Sequence, residues 1–342
     1  MTWTMPAETA QQERIWMSFP RAWAGYRETE ADRDAAYQTW TAVAHAIAEF
    51  ETVSMIVDPS ETARAANMLG KGIEQVGRVI DDYWLRDSGP TFVHAADGSL
   101  AAVDWIFNAW GGNITTGYQN DSGLASFIAG LVGVPVISSL LVNEGGGIHV
   151  DGEGTILLTE TVQLGKGRNP HADAARVEAE MARTLGCDKV IWLKRGLTRD
   201  YDGHGTLGHV DIVACFPSPG RVLIHDQRDP SHPDHAVTAE VRAILSEARD
   251  AKGRKLEIID VPAPKALKDT EGFVDYSYIN HLVVNGGVIA CGFGEDRADA
   301  EARDILAAAY PGRRVVTVDA REIFARGGGI HCITQQQPKV RG

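Results

Sequence analysis

The amino-acid sequence predicts an α/β protein whose short sheets repeat as a ring of blades, and three observations carry that reading. Helix, strand and hairpin patterns recur in the same order at intervals of roughly 60 to 65 residues, from His171 to Asp234 and again to Asp299. No proline- or serine-rich linker interrupts the series. The pentapeptide Gly-Gly-Gly-Ile-His occurs twice, at Gly145 to His149 and at Gly327 to His331, as a duplicated structural unit would leave it. Several such units also suit a two-domain α/β arrangement, but repeated small sheets with flanking helices and one reactive centre fit a propeller-like ring. Such a ring collects its loops at a central site.

Each element follows from local pattern. Apolar residues three and four apart predict helices over Thr29 to Phe50, His171 to Leu185, Asp234 to Ala248 and Asp299 to Ala309. β-Branched runs predict strands at Thr52 to Val57, Lys189 to Leu193, Leu256 to Val261 and Arg314 to Val318. Two hairpins complete the units. Val210 to Phe216 folds against Arg221 to His225 across Pro217 to Gly220, and Tyr278 to Val284 folds against Gly287 to Cys291 across Asn285-Gly286, the strongest turn signal in the chain.

Composition bounds the function. With 342 residues, 44% hydrophobic and 23% charged, the chain has material for a large core and none of the marks of disorder. No apolar run approaches the roughly 20 residues of a membrane helix, and Met1 to Arg14 is polar and acidic, unlike a secretory leader. A cytoplasmic protein is expected. The net charge of -13 argues against nucleic-acid partners and favours a cationic one, although an acidic surface also serves solubility. Cys187, Cys215, Cys291 and Cys332 are far apart and form no CxxC pair, which argues against a disulfide framework or a zinc knuckle.

Only the second glycine triplet runs straight into a cysteine, which nominates Cys332 as the reactive atom; Cys215 and Cys291 lie in apolar strand-like runs. Acidic, imidazole and thiol groups gather beside glycine at Trp84 to Pro90, Asn143-Glu144-Gly145, Gly203-His204-Gly205, Gly208 to Asp211 and His331 to Thr334. If Gly208 to Asp211 starts a strand, His209 and Asp211 project to one face. Histidine moves protons near neutral pH while the carboxylate holds a cation. Asp87 before Ser-Gly-Pro is otherwise a turn residue, and Trp84 packs against an alkyl chain, a cation or the core. Glu144 stands where Arg326 stands in the second copy. His149 and His331 recur within the repeat, which favours a shared backbone or packing role.

A free thiol must be activated before it attacks, and several carboxylates nearby oppose thiolate formation unless the substrate itself carries positive charge. A guanidinium does so, being planar and able to pair bidentately with carboxylates.

At these motifs the sequence resembles the agmatine deiminase branch of the guanidino-group-modifying, or pentein, superfamily. The likeness covers nearly the whole chain. It runs through Met5 to Glu8, Trp16 to Pro20, Trp84 to Thr91, Glu144 to Thr155, Arg168-Asn169-Pro170, Gly208 to Asp211, Ser277 to Asn280 and His331 to Pro338. The resemblance implies a five-bladed α/β propeller forming a single catalytic domain over residues 1–342. It implies that Cys332 is the nucleophile, His209 the general acid and base, Asp87 and Asp211 the guanidinium grips, and Glu144 the support of His209 or the substrate. Trp84 and Gly329 would line the substrate. The implied reaction turns agmatine into N-carbamoylputrescine and ammonia, a step toward putrescine and the polyamines, in a homo-oligomer with no metal or organic cofactor. Thr9 to Gln12, Gly329 and the loop Asp202 to Leu207 depart from the family pattern and leave the substrate's distal end open. Three alternatives stand beside this reading: a deiminase of free or peptidyl arginine, a non-catalytic polyamine-binding protein, and a metallohydrolase using His209, Asp211 and Asp87.

Overall fold

A computed structural model describes residues 2–21, 29–113, 117–203 and 205–341; His204 therefore lies outside the described residues. Among the described residues the strands form five separate sheets of three or four strands each. Every sheet contains an antiparallel pair, then a helix, then a strand parallel to the second member of that pair. A parallel neighbour needs a crossover connection, and the helix supplies it. One sheet shows the plan: Ala214–Ser218 pairs with Arg221–Asp226, the helix Asp234–Glu247 crosses over, and Glu257–Pro262 returns parallel to Arg221–Asp226.

The five-bladed α/β fold expected from the sequence is the fold observed, with the repeat out of phase. The sequence groups a helix and strand with the hairpin that follows; the structure puts them in the sheet of the hairpin that precedes. Periodicity fixes the length of a repeat and leaves its starting point open. The turn at Asn285-Gly286 forms as expected, with Gly286 at φ 73° between Leu282–Val284 and Gly287–Gly292, but the first strand starts at Leu282 rather than Tyr278, because Tyr278 to His281 turn toward the site.

Local chemistry explains where elements begin. The helix Glu30–Ala48 starts at Thr29, whose side chain accepts from the Asp32 amide while Asp32 accepts from the Thr29 amide; such a reciprocal cap is worth about 1 kcal/mol. Its Tyr37, Trp40, Val43, Ala44 and Ile47 face the core at helical spacing. Among the described residues no helix is long and apolar enough to cross a membrane.

Closure of the ring positions the site. The last strand, Thr334–Pro338, pairs antiparallel with Gln12–Ser18, whose parallel neighbour is Thr52–Val57. The two ends of the chain thus build one blade, and Cys332 lies in the turn that enters its last strand. Arg86 anchors that turn: its amide donates to the Cys332 carbonyl at 3.2 Å and its Nε to the His331 carbonyl at 3.2 Å.

Candidate active site

Loops from several blades bring the expected residues together. Asp87 sits in the short helical turn Leu85–Ser88, Glu144 between the strand Val136–Val142 and the turn Gly145–Gly147, and Asp211 in the turn Val210–Ile212. His209 directly precedes that last turn, so the strand expected at Gly208 to Asp211 is replaced by a 3-10 turn. Asp200 imposes the turn: its buried carboxylate accepts from the amides of Thr206, Gly208 and His209 and from the Thr206 hydroxyl. The side chains still converge. A Cβ on Gly146 would overlap Nδ1 of His209 and stand 3.0 Å from both Asp211 Oδ2 and Asp87 Oδ1. Only glycine allows the main chain to run against these three groups.

The polar contacts have a clear order. Glu144 Oε2 lies 3.2 Å from His209 Nε2, and Arg168 Nε donates to both Glu144 oxygens at 2.9 Å. Asp87 accepts from the Gly146 amide at 3.0 Å and from Trp110 Nε1 at 2.8 Å, with Oδ1 3.8 Å from His209 Nδ1. Asp211 Oδ2 contacts His331 Nδ1 at 2.8 Å and the Cys332 sulfur at 3.4 Å. Asn280 donates to that sulfur at 3.2 Å and accepts from the His331 amide at 2.9 Å. Glu8 joins His331 at 2.7 Å, with Arg86 at 3.6 Å. Among the described residues, two buried atoms at the centre have no hydrogen-bond partner, His209 Nδ1 and Asp211 Oδ1.

Electrostatics follow from burial and these partners. Burial first, then Asp211 and Asp87, hold the Cys332 thiol well above its ordinary value, against the Gly329 amide and Asn280. Burial disfavours a charged His209, yet Asp87, Glu144 and Asp211 outweigh it and raise the imidazole to about 9. Asp87 is pushed up to about 6, by burial and then by Asp211 and Glu144 against the opposing His209. Glu144 stays below its usual range in spite of burial, because Arg168 and His209 stabilise its anion. Asp211 does likewise through His331, His209 and Arg86. Arg168 and Arg86 offset Glu144 and Glu8 behind the site, leaving Asp87 and Asp211 as the anions that meet the thiol.

The two residues expected to line the substrate sit beside the sulfur. Gly328 carries no Cβ; one would stand 2.7 Å from Trp84 Cζ3 and 3.1 Å from the Cys332 sulfur, so Trp84 reaches the cysteine turn over this glycine. The rest of Trp84 belongs to the core, edge-on to Trp40 at 6.0 Å between centroids. Gly329 packs against Asn280 and Phe324 and turns its amide to the sulfur.

Cys215 and Cys291 are buried in strands as expected, and burial pushes the Cys291 thiol to about 12. His331 and His149 share Glu8, at 2.7 and 3.8 Å, so the recurring histidines do have a common structural partner, and His331 additionally positions Asp211. Sequence reasoning assigned no role to Asn280, Arg168, Arg86, Trp110 or Glu8. Asn280, Arg168, Arg86 and Glu8 lie inside the long motifs quoted above, which was the available signal; Trp110 has none. Among the described residues no group of three or more His, Cys, Asp or Glu side chains is arranged to hold a metal ion.

Comparison with known proteins agrees with this geometry. The family of Porphyromonas-type peptidyl-arginine deiminases matches over residues 4–338. A Streptomyces coelicolor protein, named provisionally as an agmatine deiminase, is 52% identical over 99% of this chain and 100% of its own length. The agmatine deiminase of Ectopseudomonas mendocina is 41% identical over 99% of this chain and 96% of that one. The solved agmatine deiminase of Enterococcus faecalis superposes with a TM-score of 0.92 at 32% identity, covering 99% of this chain and 97% of that chain.

Proposed function

The chain belongs to the Porphyromonas-type peptidyl-arginine deiminase family, and on that premise we propose that it hydrolyses agmatine to N-carbamoylputrescine and ammonia through Cys332. The observation that carries the reading is the pair of buried atoms unpartnered among the described residues, His209 Nδ1 and Asp211 Oδ1, beside a thiol kept neutral by burial and then by Asp211 and Asp87. A planar cation with several N–H groups fits this arrangement: it gives the carboxylates donors, neutralises the field that opposes thiolate, and places its carbon near sulfur, and once addition returns a lone pair to its nitrogen that atom accepts from His209.

The chemistry then runs in balanced steps. Asp87 and Asp211 grip the guanidinium; its charge favours loss of the thiol proton toward Asp211 Oδ2, already in contact with the sulfur. Thiolate adds to the guanidinium carbon, forming a C–S bond and a tetrahedral adduct. Protonated His209, supported by Glu144, gives its proton to one nitrogen, the C–N bond breaks, and ammonia leaves a cationic thiouronium on Cys332. Neutral His209 next takes a proton from water as its oxygen attacks the same carbon. Collapse breaks the C–S bond, releases the ureido product and returns the thiol, while the proton lost at the start leaves with ammonia as ammonium. Asn280 and the Gly329 amide support the thiolate by donating to sulfur. All of this is the work of one catalytic domain over residues 1–342, acting on a small cation without nucleic acid, in a cytoplasmic homo-oligomer.

The family's description keeps peptidyl arginine as the second reading. Ammonia release from agmatine, free arginine and an arginyl peptide separates them. Agmatine is expected to give the highest kcat/KM, and Cys332→Ser to lower its turnover by at least about four orders of magnitude while guanidine binding persists. Faster turnover of arginine in either form contradicts the assignment.

A further inference from the structure

A cavity of about 150 Å³ opens beside the catalytic turn, between the turn Thr198–Tyr201 and the short helix Arg321–Phe324, with Gly327 on its wall. Two of its wall residues lead to the site. Gly327 precedes the glycine that faces the Cys332 sulfur, and Asp200, another wall residue, holds the amide of His209 at 3.0 Å. Phe273 and Phe324 give the cavity apolar surface.

Among the described residues the charged groups around it are paired, apart from the exposed Asp202 and the buried Asp275. Arg199 donates to Asp269 at 2.7 Å and to Glu271 at 2.9 Å. Arg326 is held by Glu322 at 2.8 Å and by the Asp32 carbonyl at 2.8 Å. Both Asp200 oxygens are taken by amides and the Thr206 hydroxyl. Asp275 lines the cavity at 7% exposure, and among the described residues no hydrogen bond or ion pair from another residue reaches its carboxylate. A carboxylate buried this far is costly to leave unpaired. Burial first, and then Asp200, push it up to about 7, with the charge of Arg199 working the other way.

We propose that Asp275 is the counter-ion for the distal ammonium of the substrate, and that Phe273 and Phe324 flank the alkyl chain that joins this ammonium to the guanidinium at Cys332. The inference rests on the deiminase reading above and adds the group that recognises the far end. Asp275 makes the site selective for a diamine-like cation, because an unmet buried carboxylate penalises an uncharged tail and repels an anionic one.

The test compares agmatine with butylguanidine, which has the same chain without the amine, in the unmodified protein, Asp275→Asn and Asp275→Glu. Asp275→Asn is expected to lower the agmatine-over-butylguanidine ratio of kcat/KM on the order of 10- to 100-fold, the value of one charge-assisted hydrogen bond, chiefly through KM. Asp275→Glu keeps the charge and is expected to retain most of the preference. A ratio that Asp275→Asn leaves unchanged, whether both substrates fall together or neither does, overturns the proposal. The same ratio measured as binding affinity in a Cys332→Ser background separates the two claims. An inactive unmodified protein that still prefers agmatine in an Asp275-dependent way sinks the deiminase reading and keeps the ammonium site.

Discussion

The two Gly-Gly-Gly-Ile-His copies do the same structural work on two walls of one site. In the first, Gly146 faces His209, Asp211 and Asp87; in the second, Gly328 faces Trp84 and the Cys332 sulfur. Their histidines converge on Glu8. The flanks differ. Glu144 precedes the first copy and pairs with Arg168 and His209, whereas Arg326 precedes the second and pairs with Glu322. After the first copy the chain continues as Val150 into a blade; after the second comes the thiol. The repeated part supplies a bare backbone that lets reacting groups close in, and the chemistry resides in the residues that were not repeated.

The sharpest way to break this comparison is to give each middle glycine a side chain. Gly146→Ala displaces the general acid and Gly328→Ala displaces Cys332 or Trp84, so each is expected to lower kcat roughly 10²-fold, the penalty for misplacing a reacting group by about an ångström. Circular dichroism checks that the fold survives. Normal turnover from either variant removes that copy from the wall.

A pH profile sharpens the division of labour. The groups against the first copy set both limbs of kcat/KM. As pH falls through about 6, Asp87 gains a proton and loses its grip; as pH rises through about 9, His209 loses the proton it must donate. Activity is expected to drop about tenfold per unit outside that window. An acid limb that persists in Asp87→Asn assigns it to another group.

The smallest effect separates the two histidines. His331→Ala removes the partner of Asp211 and is expected to lower kcat about tenfold. His149→Ala removes the acceptor of the Phe216 amide and is expected to cost about 1 to 2 kcal/mol of stability, read by denaturant unfolding, with kcat changed less than about twofold. Equal losses of kcat contradict the asymmetry.

Much of this was legible in the chain. Turn chemistry at Asn285-Gly286 and the apolar spacing of the helices specify their elements locally, and the cysteine after the second triplet marks the reacting atom. What escaped depends on contacts distant in sequence. Asn280 meets Cys332 across 52 residues and Trp110 meets Asp87 across 23, and no spacing rule reports such pairs. At His209 alternation suggests a strand, while the turn is imposed by the carboxylate of Asp200, nine residues earlier. Asp275 is an unremarkable aspartate until the fold sets it in a cavity wall where, among the described residues, no hydrogen bond or ion pair from another residue reaches its carboxylate.

The central claim is electrostatic: Cys332 becomes reactive when a flat cation enters between Asp87 and Asp211. The most direct measurement is the ratio of alkylation rates of Cys332 by a planar cationic haloacetamidine and by the neutral haloacetamide of the same size, at neutral pH. The account predicts that the cation reacts faster on the order of 10²-fold and that the ratio collapses when Asp87 and Asp211 are both changed to Asn. Equal rates in the unmodified protein, or a ratio indifferent to those carboxylates, would contradict it.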